Sequence, residues 1–427
     1  MRISKPAAAA VTAMLAATVV AAAPGTATAS GHQATGCPAQ WALLPASSLS
    51  GSSLPSGATE GEVLSVSALS AHDAWFAGLN GDPDLSDFNA NAWQWNGRSV
   101  KPPSAQIPDL PLTSARPGAA NQLAGPGSFD SDTDGWVLTS IPGTINPLIS
   151  FDTAEHWHGG RWTLTPTAVS PHPATVGLML SDVAALSPAN AWAVGGFYQV
   201  GPGIEPGAVP IGALIEHWNG TFWSIVPNPA SSQPSTTLLG LTAASPTDIW
   251  AVGYQAGAGS SGSIVPLAEH WDGTAWSIVP VPAGNQISDL YAVSVAGGQA
   301  WAAGGQVEPG TQNTSVPLIE HWDGRAWTVQ QLPDAGNSLL RAIYAASPDD
   351  VWASGLFAVQ AGLTDVFLHW DGHTWTTVPL PGPREWDLSY DVSAIGGTGP
   401  DDVWATGLAS SETDLDAFPL LAHLSCR

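Results

Sequence analysis

Lysine and arginine together number only ten in 427 residues, against 35 aspartates and glutamates. Phosphate recognition needs clustered cations, so nucleic acid is excluded as a partner and an anionic membrane surface is disfavoured. Cysteine is nearly missing as well, with Cys37 and Cys426 the whole complement. Beyond the first 23 residues no stretch approaches 18 uninterrupted apolar residues, which excludes a later membrane-spanning helix. A 3.6-residue apolar period is absent too. With 46 glycines and 37 prolines, that excludes a helical solenoid.

The one long apolar run lies at 7–23, behind Arg2 and Lys5, and is followed by Ala27-Thr28-Ala29. A basic start, an apolar stretch and a small-x-small end read as a secretory signal peptide, 1–29, followed by a short disordered leader, 30–36. Its removal takes away two cations and no acid, moving the net charge from −25 to −27 and leaving Lys101 as the only lysine. The chain is expected to be secreted and extracellular, and without a membrane span. In that oxidising compartment a single cysteine pair reads as one structural disulfide.

What is present in abundance is tryptophan, 21 residues, and it recurs. Trp75, Trp136, Trp192, Trp250, Trp301, Trp352 and Trp404 follow one another at intervals of 51 to 61 residues. In the fourth copy the phrase is Ser245-Pro246-Thr247-Asp248-Ile249-Trp250-Ala251-Val252-Gly253, then Glu269-His270-Trp271-Asp272-Gly273 and Trp276. Four short alternating runs are expected there, at 239–244, 249–253, 267–271 and 276–280. Pro246 and Asp248 mark a turn in which the aspartate can cap backbone N–H groups, and Asp272-Gly273 marks a two-residue hairpin. Seven such copies predict an all-β, seven-bladed β-propeller of four-stranded antiparallel blades filling 37–427.

The seventh copy stops at Leu420–Cys426, one strand short, and the missing phrase stands at Cys37-Pro38-Ala39-Gln40-Trp41-Ala42-Leu43-Leu44-Pro45. The N-terminal strand is therefore expected to complete the last blade. Cys37 and Cys426 then sit at the cut ends of one hairpin, where a disulfide fits.

The repeated Ser-Pro-x-Asp-x-Trp-Ala-Val-Gly and Glu-His-Trp-Asp-Gly-x-x-Trp phrases resemble secreted bacterial propellers, grouped with kelch, galactose-oxidase-like and WD-type domains. The resemblance implies a propeller over about residues 37–427 and no particular chemistry. The kelch Gly-Gly pair occurs in the matching place only at Gly195-Gly196 and Gly304-Gly305. A copper site of the galactose-oxidase kind is not implied, because both cysteines are assigned to closure. The arginine triad of sialidases has too few cations to draw on.

Features copied around a ring are scaffold before they are site. The seven tryptophans are expected in the core. His156, His217, His270, His321, His369 and His423 lie on six blades, so they cannot converge on one metal, and an in-blade hydrogen bond is expected for each. Glu155, Glu216, Glu269 and Glu320 follow the same logic. Trp93, which takes the place of that glutamate, and Trp386, beside Arg384, break the repeat and are candidate ligand-stacking residues. Asp130-Ser131-Asp132-Thr133-Asp134-Gly135 matches the opening of a calcium loop, although Ile141 stands where the bidentate glutamate belongs. Calcium is thus a possible ligand there and no cofactor is required.

Length variation concentrates at 79–91, 197–211, 254–266, 306–317 and 409–418, all on the rim opposite the short turns. Loops of varied length on a rigid ring are where binding resides. Their acids, with Asp82, Asp84 and Asp87 foremost, suggest an acidic recognition rim for a carbohydrate, a peptide or a surface protein. The expected function is a monomeric, non-catalytic binding module. The alternative is a carbohydrate-active hydrolase or lyase with acids at the propeller funnel.

Overall fold

The structure, a computed structural model, describes residues 40–44, 60–81, 88–108, 123–140, 153–169, 176–199, 210–256, 263–282, 287–307, 315–333, 337–358, 366–380, 388–411 and 417–425. Seven four-stranded antiparallel sheets account for every strand, and there is no helix among the described residues. The fold is a seven-bladed β-propeller. Within blade four the strands are Thr237–Ser245, Asp248–Ala256, Ile264–Trp271 and Trp276–Ile278. The first three run longer than the alternation alone predicts, and the outermost is shorter.

The last blade is closed as expected. Gln40–Leu43 pairs with Ala417–Ser425, placing Trp41 opposite Leu424, and the Leu44 N–H donates to the Leu421 carbonyl at 2.9 Å. Trp41 stacks on Phe367 (centroids 4.3 Å apart, 15° between planes) and meets Trp352 edge-on at 5.4 Å. Cys37 and Cys426 lie outside the described residues.

Tryptophan holds blade to blade. Each second-strand ring meets a tryptophan of the following blade, and four of them meet both its third- and fourth-strand tryptophans, as in Trp136 against Trp218 and Trp223, or Trp250 against Trp322 and Trp327. Trp404 of blade seven closes the circle on Trp95 of blade one. All seven second-strand rings are buried, as expected for a core role.

Six of these rings, all but Trp75, also carry a histidine on one face. His423 stacks on Trp404 at 3.7 Å and 9°, and His321 on Trp301 at 3.7 Å and 14°. The imidazole Nε2 in turn reaches the first residue of the second strand: Asp134, Asn190, Asp248, Gln299, Asp350 or Asp402. Blade one keeps the bond with other chemistry, Gln94 donating to Asp73 at 2.8 Å. This is the in-blade hydrogen bond expected for the histidines. It also corrects the reading of the turn aspartate as a cap: in blade four Ser245 Oγ accepts from the Thr247 N–H, while Asp248 serves His270.

The Asp-Gly hairpin needs a correction as well. The loop is four residues long, 272–275, and only Gly273 takes a positive φ, +91°. The Asp272 carboxylate accepts from the Thr274 and Ala275 N–H groups, and these bonds hold its pKa below the usual value. Asn96, Asn219, Asp323 and Asp371 close four other blades in the same way. Asn219→Ala is expected to cost about 1–2 kcal/mol by orphaning two donors, and Asn219→Asp little, as read from urea midpoints.

Candidate functional site

The innermost strands (Glu60–Ser70, Leu123–Ser131, Val176–Ser187, Thr237–Ser245, Ser288–Ala296, Asn337–Ser347 and Leu388–Gly399) line a central cavity of about 1170 Å³. Six of the seven carry a one-residue β-bulge at the same height. It lies between Val63 and Ser65, Leu180 and Asp182, Leu238 and Gly240, Leu290 and Ala292, Leu340 and Ala342, and Val392 and Ala394. A bulge places two residues opposite one and re-aims a side chain. The residues left over are Leu64, Ser181, Leu239, Tyr291, Arg341 and Ser393, and every one lines the cavity.

The bulge explains a glycine of the repeat. Gly78, Gly195, Gly253, Gly304, Gly355 and Gly407 stand opposite it, and a Cβ on any of them would overlap the carbonyl oxygen two residues before the bulged one. Blade two has Thr139 in that place. Its inner strand is the exception, with Gly125 and Pro126 both outside the ladder.

One arc of this layer is polar. Arg341 donates to Asp391 at 2.9 Å, Ser393 donates to Glu62 at 2.7 Å, and Tyr291 donates to Asp289 at 2.9 Å. These residues come from blades five, six, seven and one, so the arc is continuous across the ring's closing point. Burial raises the carboxyl pKa of Glu62, and Asp391's charge adds to it against the opposing effects of Ser393 and Arg341. Burial likewise raises Asp289 and Asp391, the latter opposed by Arg341. The inner strands enter from the rim that bears the strand-two-to-three connections. The polar arc, at their N-terminal ends, therefore lies toward that mouth.

The repeated glutamates have a structural task. Glu216 accepts from the Ala168 N–H at 2.9 Å, and Glu269 from the Ala230 N–H at 3.0 Å, each holding the connector that leaves the preceding blade. Burial pushes both up to about 7 and Glu320 to about 8. A folded-state pKa above the ordinary 4.5 means the folded chain keeps its proton longer. That stability is full below about pH 4.5 and is lost as pH rises through 7. Unfolding free energy is expected to fall between pH 5 and pH 8, and Glu216→Gln to remove about 1–3 kcal/mol of that fall, measured by urea titration at both values.

Other sequence candidates are distributed unevenly. Trp93 is 1% exposed, packed with Val63, Phe76 and Trp404, so it is corrected from a stacking candidate to a core ring. Trp386, Arg384, Asp82, Asp84 and Asp87 lie outside the described residues. In the acidic turn, Asp132 is exposed and its carbonyl accepts from the Trp157 indole. Asp134 is buried and accepts from His156 and His158 at 2.9 and 3.0 Å. Asp130's carboxyl adjoins it and is pushed up to about 6, by burial first and Asp134's charge second. The turn thus joins two of its three aspartates with a pair of imidazoles.

Sequence reasoning missed the cavity arc. Its signal was present: Glu62, Asp289, Tyr291, Arg341 and Asp391 interrupt strands that are mostly small and apolar.

No family model matches the chain, and no curated protein matches it by sequence. Among solved structures it is similar to YCF48 bound to a D1 peptide, at 16% identity over 95% of this chain and 100% of that one, with a TM-score of 0.50. The fucose-specific lectin from Aleuria aurantia matches at 14% identity over 77% and 100%, with a TM-score of 0.41. A PL25 ulvan lyase matches at 12% over 86% and 94%, with a TM-score of 0.45. At such identities the likeness speaks for architecture only, and the count of seven blades comes from this chain's own strand pairing.

Proposed function

We propose that the chain is an exported, non-catalytic binding module whose ligand enters the loop-bearing mouth of the central cavity. The supporting observation is the polar arc, where the sevenfold repeat gives way to Glu62, Tyr291, Arg341 and Ser393 in the lining, with Asp289 and Asp391 bonded to Tyr291 and Arg341. Three carboxyls and one guanidinium favour a neutral polyhydroxyl or a cationic ligand, which means a polysaccharide or a basic peptide segment. Glycan- and peptide-array binding of the mature protein tests this. Arg341→Ala and Ser393→Ala are expected to weaken the captured ligand about tenfold or more, with little change in melting temperature. Unchanged binding in both variants overturns the proposal.

A second reading, a carbohydrate-active hydrolase or lyase, draws on Glu62 and Asp391. Glu62 lines the cavity, Asp391 is held by the cavity residue Arg341, and burial raises the pKa of both. Release of reducing ends or unsaturated sugars from acidic and neutral polysaccharides, abolished by Glu62→Gln, would favour it.

A further inference from the structure

The seven blades serve as controls for one another, and blade two departs from the other six. At the end of its third strand His158 replaces the Asp or Asn that caps the hairpin in blades one, three, four, five and six. Gly159 and Gly160, with φ of +58° and +84°, make the turn without a capping side chain. The freed imidazole turns onto Asp134, so that this carboxylate holds two histidines where its counterparts hold one. The ligand-capable atoms of Asp134, His156 and His158 lie within 4.8 Å of one another.

Hydrogen bonding alone leaves this cluster incomplete. Asp134 is 1% exposed, and its Oδ2 is buried with no donor. The group beside it is the carboxyl of Asp130, which donates to Asp134 when protonated and adds a second negative charge when it is not. With both carboxyls ionised, two adjoining negative charges and two imidazoles suit a cation.

We propose that Asp134, His156 and His158 bind a borderline divalent transition metal of the zinc type, with Asp130 available as a fourth ligand. Two nitrogens and a carboxylate oxygen are a zinc-type donor set, whereas calcium takes six to eight oxygens. A cation about 2.0–2.2 Å from each donor holds the donors roughly 3.3 Å apart. The two His–Asp distances, 2.9 and 3.0 Å, are already near that spacing. His156 is oriented by its stack on Trp136 (4.0 Å, 4°), so one ligand is fixed before binding. The site lies on the short-turn rim, at the far face from the polar arc, and does not depend on the proposed cavity ligand.

The test uses mature protein stripped with EDTA and titrated by calorimetry with ZnCl2 and, separately, CaCl2. One equivalent of zinc is expected to bind, and zinc, not calcium, to raise the melting temperature. His158→Ala is expected to weaken zinc about tenfold or more. Its side chain is 62% exposed, so folding is retained, and Asp130→Asn gives a second variant. His270→Ala, which removes blade four's counterpart of His156, is expected to leave zinc binding as it was. Co2+ in place of zinc is expected to give visible d–d bands that His158→Ala abolishes. Equal zinc isotherms for wild type and His158→Ala overturn the site, as does calcium binding that competes with zinc.

Discussion

Reducing the oxidised protein, or replacing Cys37 and Cys426 by serine, is expected to lower the unfolding free energy by up to about 5–6 kcal/mol, the chain-entropy figure for a loop of this length. The proposed crosslink would tie the two ends whose strands pair in the seventh blade. The described register there begins at Gln40 opposite Ser425, three residues from one cysteine and one from the other. Trp41→Ala is expected to remove about 3–5 kcal/mol independently, because this ring is the fourth-strand tryptophan of blade seven and packs on Phe367 and Trp352. Guanidinium titrations of oxidised, reduced and Trp41→Ala protein separate the contributions. The two effects should couple, since both act on one strand. A thiol assay that finds both cysteines free would falsify the crosslink, and a Trp41→Ala midpoint equal to wild type would remove the strand's closing role.

Gly304→Ala is expected to be nearly as damaging as Trp41→Ala, at about 3–5 kcal/mol, although it adds a single methyl group. Its Cβ would overlap the Asp289 carbonyl oxygen and come within 2.8 Å of Leu290 Cα, both backbone atoms that cannot rotate aside. Relief requires the bulge at Tyr291 to unwind, which would also re-aim the Tyr291–Asp289 pair in the cavity. Loss of stability and loss of cavity binding are therefore expected together. Gly399→Ala is the comparison: nothing lies within 4 Å of its added Cβ, and a change within about 0.5 kcal/mol is expected. Equal denaturant midpoints for the two variants would show that the bulge adapts.

Architecture was legible in the sequence because seven copies average out local ambiguity. Trp, His and Asp at fixed offsets predict both the buried ring and the bond it supports. Blade one shows the limit, since nothing in Gln94 announces that it will stand in for histidine. The cavity arc was harder to read because strand alternation describes two faces, and a bulge adds a residue outside that pattern. Arg341 and Tyr291 fall on such residues. Their direction follows from the register slip, and the slip is foreshadowed only by the facing glycine. Trp93 misled for a related reason: a departure from the repeat can mark a ligand site or a compensated core, and here the larger ring fills interior space. His158 was passed over because the acidic run before it drew the reading toward calcium.

The shared seventh blade has a consequence for how the molecule is made. The strand Gln40–Leu43 precedes all six other blades in the sequence, yet its partner, Ala417–Ser425, follows them all. Six blades can assemble in order as the chain emerges, but the first strand has to wait, unpaired, for the final one. The slowest contact therefore spans almost the entire polypeptide, and a premature stop anywhere upstream leaves two open sheet edges and no ring.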